Sequence, residues 1–291
     1  MHELGGSGTM ARATEIAANL HEVRGRIAEA ALGVGRSPDD VCLVAVSKTF
    51  PAEAVLEAWE AGQRHFGENR PEEGQKKISQ VMQLITGGPA AAPGAAGGVE
   101  DAAVPGGEAA HQDTWGIGER PVWHMIGHIQ SRKAGLVASL FDVVHSLDRL
   151  RIAQKLSARA LGAGCEIPVL LECNVSGEAS KFGYRAVGWE HDAALRAALR
   201  DEIGQVIDLP GLKVSGLMTM APIAEDPEDV RPVFVSLRGL RDLLREQFPH
   251  LAFSHLSMGM TADYEVAVEE GATLVRIGRA IFGSRTILRS K

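Results

Sequence analysis

An alternation runs through the chain and fixes most of what it can fold into. Short apolar runs recur at "VCLVAVSKT" (41–49), "HFGEN" (65–69), "VWHMIG" (122–127), "VVHSLD" (143–148), "IPVLLECNV" (167–175), "LKVSGLMTM" (212–220), "HLSMG" (255–259) and "TLVRIG" (273–278). Helix-like segments such as "AEAVLEAWEAG", "LRIAQKLSARALGAG" and "DVRPVFVSLRGLRDLLREQ" lie between them. Strands separated by helices pair in parallel through crossovers. Near-continuous apolar runs mark strands covered on both faces. Eight of them in 291 residues predict an α/β fold, a single closed (β/α)8 barrel. An open doubly wound sheet would need a glycine-rich phosphate turn after its first strand. That position holds "SKTFP", and "GVGRSP" at 33–38 precedes the strand and lacks a third glycine.

Ahead of the barrel, Ile16, Leu20, Val23 and Ile27 recur at helical steps until Gly33 and Gly35 stop them. Residues 1–40 therefore read as an N-terminal segment and helix packing on the barrel, and 41–291 as the barrel itself. Residues 86–118 break the rhythm: nine glycines, nine alanines and three prolines with no Lys or Arg. Such a stretch buries too little apolar area to offset its ordering entropy, and it falls in a helix-to-strand connection at the bottom of a barrel. It reads as a disordered insertion without a catalytic role.

The net charge of −7 gives no cationic surplus for a nucleic-acid partner. Cys42, Cys165 and Cys173 form no paired motif and read as small buried hydrophobes of a reducing compartment. No signal-type or membrane-spanning stretch is present, so the expectation is cytoplasmic, with no membrane partner.

Lys48 ends the first apolar run. A strand-end lysine ordinarily snorkels to solvent. In a barrel, however, this strand end opens into the face where active sites gather, and a lysine among apolar neighbours loses its proton more easily and attacks carbonyls. At the far end of the chain, Ser257 and Gly259 lie at the tip of the seventh strand, and Arg276 and Gly278 end the eighth before a helix. Loops after strands seven and eight are a common phosphate cradle, with backbone N–H groups near Gly278 and Arg279 facing the anion; ordinary turn glycines and a surface arginine are the competing account. Strands one and eight are neighbours in a closed ring. A reactive lysine and a phosphate cradle in one pocket describe a site for an aldehyde on a phosphorylated heterocycle, as in pyridoxal 5'-phosphate.

The segments "VAVSKTFPAEAV", "FGENR", "WHMIGHIQSRKA", "SGEASKFGY", "GLMTMAP" and "LSMGMTADYEVAVEEGATLVRIGRAIFG" together resemble the pyridoxal-phosphate homeostasis protein family, over roughly residues 40–285 apart from the insertion. The resemblance implies a barrel like the N-terminal domain of alanine racemase, with pyridoxal 5'-phosphate held as a Schiff base on Lys48. It implies phosphate contacts from Ser257, Arg276, Gly278 and Arg279, and pocket positions for Asn69 and Met220. Two departures stand out: Arg279 replaces the family's small hydroxyl residue, and Thr261 replaces a serine.

Other features carry less. His124 and His128 have no third ligand nearby and read as core or mouth histidines, so no metal site is expected. Lys181 and Arg185 after the fifth strand, and Arg132 and Lys133 after the third, read as solvated charges. "EDPEDVRP" is an acidic helix start. Three functions remain to compare. One is a cofactor-binding protein of vitamin B6 homeostasis with little or no catalysis, whose further contacts would be transient ones with apoenzymes that use the cofactor. Another is a pyridoxal-phosphate racemase or decarboxylase. The third is a Schiff-base aldolase on sugar phosphates, with Glu68 and Asp148 as strand-end carboxylates. The chain stops soon after the last strand, and neither Tyr184 nor Tyr264 has the second-domain setting a racemase uses. The first function is therefore expected, as a monomer.

Overall fold

The structure, a computed structural model, describes residues 6–87 and 120–283. Almost all of the 86–118 segment lies outside the described residues; Thr86 ends a helix and Gly87 caps it with φ 65°.

Eight parallel strands close into a ring. They are β1 (Cys42–Val46), β2 (His65–Glu68), β3 (Val122–Met125), β4 (Val143–Leu147), β5 (Ile167–Asn174), β6 (Leu212–Met218), β7 (His255–Met260) and β8 (Leu274–Ile277). Each pairs with the next, and β1 closes on β8 with Val44 opposite Arg276 and Ala45 opposite Ile277. Tyr184–Arg185 add a two-residue strand beside the end of β5, outside the ring. Helices α2 (Ala52–Glu60), α3 (Pro71–Thr86), α4 (Ala134–Leu140), α5 (Leu150–Ala163), α6 (Ala193–Ile207), α7 (Arg231–Gln247), α8 (Tyr264–Glu269) and α9 (Arg279–Phe282) follow β1 to β8 in turn. The expected (β/α)8 barrel is the observed fold.

Side-chain alternation divides the interior in two. Outward residues such as Leu43, Ala45, Phe66, Trp123, Leu171 and Leu256 join the helices in one large apolar cluster. Inward residues Val44, Leu170, Met218 and Leu274 form a small separate cluster, with Cys42 and Met220 against it. The small inner cluster leaves much of the barrel interior to polar side chains.

Helix α1 (Gly6–Gly33) lies across α2, α8 and α9, burying Ile16, Leu20, Val23 and Ile27. Each such side chain is worth about 1.5–3 kcal/mol by the area it removes from water. Arg36, just beyond α1, donates to the carbonyls of Val268 and Ala272 and fixes the α1 end to the β7–β8 connection. Among the described residues, no helix is long and apolar enough to cross a membrane.

Candidate functional site at the barrel mouth

The strand alternation that turns Val44 inward also turns Val46 inward, and Lys48 follows two residues beyond the end of β1. Lys48 is half-buried in the turn that follows β1. That turn closes with Phe50 N–H donating to the Ser47 carbonyl at 3.1 Å, and Thr49 adopts φ 70°. A β-branched residue in the left-handed region is strained, and such strain persists only where the surroundings hold it. Two anchors do so here. Phe50 packs on Phe282 of α9, with ring centroids 5.1 Å apart. Beneath the turn, Ser47 points outward, and its hydroxyl donates to Glu68 Oε1 at 2.7 Å. Lys77 of α3 reaches the same Glu68 oxygen and the Ser47 carbonyl, both at 2.6 Å. Glu68 and Lys77 are both buried, so their charges depend on each other. Glu68 therefore serves the support of Lys48 from outside the ring; it is not a carboxylate of the mouth.

On the neighbouring strand, Arg276 points inward and is 5% exposed. Its two terminal nitrogens are clamped, Nη1 on Ser257 Oγ at 2.5 Å and Nη2 on the Thr219 carbonyl at 2.8 Å. Burial lowers its pKa to about 10, against the pull of Asp263 and Glu172, and it keeps its charge. Two residues on, Gly278 opens α9, where a Cβ would stand 3.1 Å from the Val46 carbonyl. The backbone there runs hard against β1, one inward position below Lys48. Arg279 is exposed, Asn69 and Met220 are half-buried at the ends of β2 and β6, and Met220 packs on the inner cluster. The Asn69 backbone is pressed by the next loop: a Cβ on Gly127 would lie 2.3 Å from its carbonyl oxygen.

Ser257 differs from the rest. It is fully buried, its Cα is paired with Leu274 below the level of Arg276, and its hydroxyl is engaged by Arg276 and by His145 Nδ1 at 2.8 Å. The hydroxyl nearer the mouth is that of half-buried Thr261, in the loop after β7. That loop depends on Gly259, whose φ of 92° and approach to Tyr264 leave no room for a side chain.

The structure also gathers groups that no linear motif announced. His65, His124 and His145, from β2, β3 and β4, meet ring to ring inside the barrel, with Nδ1 of His65 3.0 Å from Nε2 of His124 and Nδ1 of His124 2.8 Å from Nε2 of His145. Glu172, inward on β5, is pushed up to about 7 by burial and then by the charge of Asp148. Inward parity on parallel strands was the available signal for these residues, but it emerges only once the register is known.

His124 and His128 part company where β3 ends. His124 is fully buried, whereas His128 lies at the mouth, stacked on Phe182 at 3.9 Å and 3.1 Å from Asp148. Asp148 also pairs with Arg149, so this second strand-end carboxylate holds the rim together. Lys181 reaches the Ala221 carbonyl at 3.3 Å and ties the β5 and β6 loops, and Lys133 pairs with Glu72. Among the described residues, no group of three or more His, Cys, Asp or Glu converges as a metal would require.

Residues 15–286 match the family model of the alanine racemase N-terminal domain. A pyridoxal phosphate homeostasis protein of Escherichia coli (strain K12) is 38% identical over 276 residues, covering 93% of this chain and 97% of its own. PipY of Synechococcus elongatus PCC7942, in a structure with PLP bound, is 30% identical with a TM-score of 0.68, over 92% of this chain and 100% of that one. An uncharacterised protein from Bifidobacterium adolescentis is 34% identical with a TM-score of 0.74, over 94% and 96%.

Proposed function

The chain belongs to the pyridoxal phosphate homeostasis family, on the fold of the alanine racemase N-terminal domain, and from that premise we propose that it binds pyridoxal 5'-phosphate through Lys48 and acts in vitamin B6 homeostasis. The observation that carries the proposal is the seam between β1 and β8. There a half-buried lysine lies two residues past the end of β1, and a buried arginine and a close-packed glycine backbone lie at the end of the paired β8.

When bound, the cofactor supplies an aldehyde for an amine to attack and a phosphate that needs donors and positive charge. Lys48 is the amine, held over the Ser47–Glu68–Lys77 support. Backbone N–H groups at Gly278 and Arg279 face the phosphate, with Asn69 and Met220 as pocket walls. Arg276 supplies buried positive charge from below, and Ser257 acts on the ligand by fixing Arg276. The relative with PLP bound, 30% identical over nearly the whole chain, supports this assignment.

Both tyrosines support a binding role over racemisation, because each is packed in the outer apolar cluster, and Arg26 of α1 lies over the Tyr264 ring. A cytoplasmic location fits three cysteines that are all free, and a monomer with transient contacts to apoenzymes completes the proposal. The test is the visible absorption of the purified protein before and after borohydride, followed by peptide mass mapping. A band that collapses on reduction, with the phosphopyridoxyl mass on the peptide containing Lys48, is the expected result. A protein that stays colourless with added pyridoxal phosphate would refute the proposal.

A further inference from the structure

Arg276 poses an electrostatic problem. It is a buried cation whose two terminal nitrogens rest on neutral oxygens, from Ser257 and Thr219, and Asp263 and Glu172 act on it from a distance. Buried charges need compensation. The histidine chain meets Arg276 through Ser257, and its hydrogen bonds can run in one of two directions. His65 and His145 are tied at Nδ1 and His124 at both nitrogens, and His145 Nε2 completes the chain.

A guanidinium only donates. Ser257 Oγ therefore accepts from Arg276, and its own hydrogen must find an acceptor in a fully buried setting. Among the described residues, His145 Nδ1 at 2.8 Å is the one the structure offers. His145 must then carry its proton on Nε2 and donate to His124 Nδ1, and His124 likewise donates from Nε2 to His65 Nδ1. In this direction every neutral ring turns its electron-rich nitrogen toward Arg276, and the aligned dipoles reinforce one another. The opposite direction would aim three N–H groups at a cation and strand the Ser257 hydrogen. Burial lowers the pKa of all three rings, that of His65 to about 4, which agrees with neutral imidazoles. His255, Arg276 and Asp142 are the other charged or titratable groups that act on these rings. At the far end, His65 lines a cavity of about 350 Å³ at the N-terminal side of the barrel, with Arg24, Asp39, Gln63 and Arg64.

We propose that His65, His124, His145 and Ser257 form a polarised hydrogen-bond chain that serves Arg276 as a neutral counter-dipole and fixes the guanidinium in the floor of the cofactor site. The three histidines are positioning residues; none touches the ligand. The role in the site rests on the cofactor assignment above, whereas the direction of the chain is a property of the protein alone.

Long-range proton–nitrogen correlation of the imidazoles in the ligand-free native protein at neutral pH tests the direction. His124 and His145 are expected as Nε2–H tautomers, and either ring found as Nδ1–H or doubly protonated overturns the proposal. The second measurement compares His145→Leu, which severs the chain, with His145→Gln, which keeps an acceptor for Ser257. His145→Leu is expected to be trapped on Lys48 by borohydride still, with a displaced absorption maximum and about tenfold or more weaker uptake of pyridoxal phosphate. His145→Gln should recover much of both. A folded His145→Leu with native maximum and native uptake overturns the positioning role. Should His145→Leu fail to fold, His65→Leu at the half-buried end is read in its place, with the same two signals. Uptake with Nδ1–H rings would sink the chain's direction and spare the cofactor assignment; Nε2–H rings in a native protein that takes up no cofactor would sink the assignment and the positioning role with it.

Discussion

Replacing Lys77 by methionine should destabilise this protein far more than an ordinary ion-pair deletion. The Lys77 and Glu68 side chains are 8% and 0% exposed, Lys77 Nζ lies 2.6 Å from Glu68 Oε1, and Glu68 Oε2 has no hydrogen-bond partner among the described residues. Methionine fills most of the volume of the lysine stem, so the main loss is electrostatic. Removing one partner of a buried pair leaves an uncompensated charge and costs about 3–5 kcal/mol. The Ser47 carbonyl loses its ammonium donor in the same step, and that loss is part of the same sum, since one nitrogen serves both. Urea unfolding followed by circular dichroism gives the value from the midpoint at constant slope. Adding Glu68→Gln to Lys77→Met removes the stranded charge and should recover more than half of the loss. A single mutant within about 1 kcal/mol of the native protein, the range of solvent-exposed pairs, would refute the argument that this pair is desolvated and supports the Lys48 turn. In the folded population, Lys77→Met should also take up pyridoxal phosphate more weakly, because the turn carrying Lys48 has lost its support.

Other perturbations follow from the same geometry. Lys48→Ala should abolish trapping by borohydride while moving the thermal midpoint little, since Lys48 is half-buried at the rim; retained trapping at native yield would show another lysine to be the anchor. Gly216→Ala should fail to give soluble folded protein, because its Cβ would lie 1.9 Å from the His255 carbonyl oxygen on the paired strand; a native-like melting curve would contradict the close approach of β6 and β7. Stability should fall as pH drops from about 6.5 toward 4: His65, His124 and His145 have native pKa values below the unfolded value, so the unfolded chain gains protons first. Glu172 and Asp263, raised in the fold, act in the opposite direction over part of that window, and three histidines outweigh them. Urea midpoints that stay level or rise between pH 7 and 5 would contradict neutral burial of the histidines.

The eight strands were legible because their outward positions are apolar and several inward ones, such as Val44, Leu170, Met218 and Leu274, are apolar too. "VVHSLD" at 143–148 and the observed Val143–Leu147 differ by one residue. "LKVSGLMTM" overshoots, since the ladder ends at Met218 while Met220 still packs on the inner cluster: apolar character outlasts hydrogen bonding. That the strand ends leading to Lys48 and Gly278 stand side by side was legible, because closure of the ring makes the first and last strands neighbours. The partners of Ser257 were not. Whether a strand-tip hydroxyl faces a ligand or an arginine depends on the stagger between β7 and β8, where the register shifts between Ser257 and Met260. The histidine chain was hidden for a related reason. Its members lie 59 and 21 residues apart, and their inward facing follows from pairings made across the ring. Glu68 looked like a mouth carboxylate only because a strand end has two sides.

The Phe50–Phe282 contact and the Val44–Arg276 pairing join segments more than 230 residues apart. The chain therefore makes the lysine side of the proposed site early in synthesis and the arginine and glycine side late, and the two come together only when the barrel shuts. Loop closure of that span is the slow, entropy-limited part of folding such a topology. A ligand seated across the join, as proposed, would act as a clasp on the strand pair whose members lie farthest apart in the sequence. Occupancy of the proposed site would thus register that β1 and β8 have closed on each other.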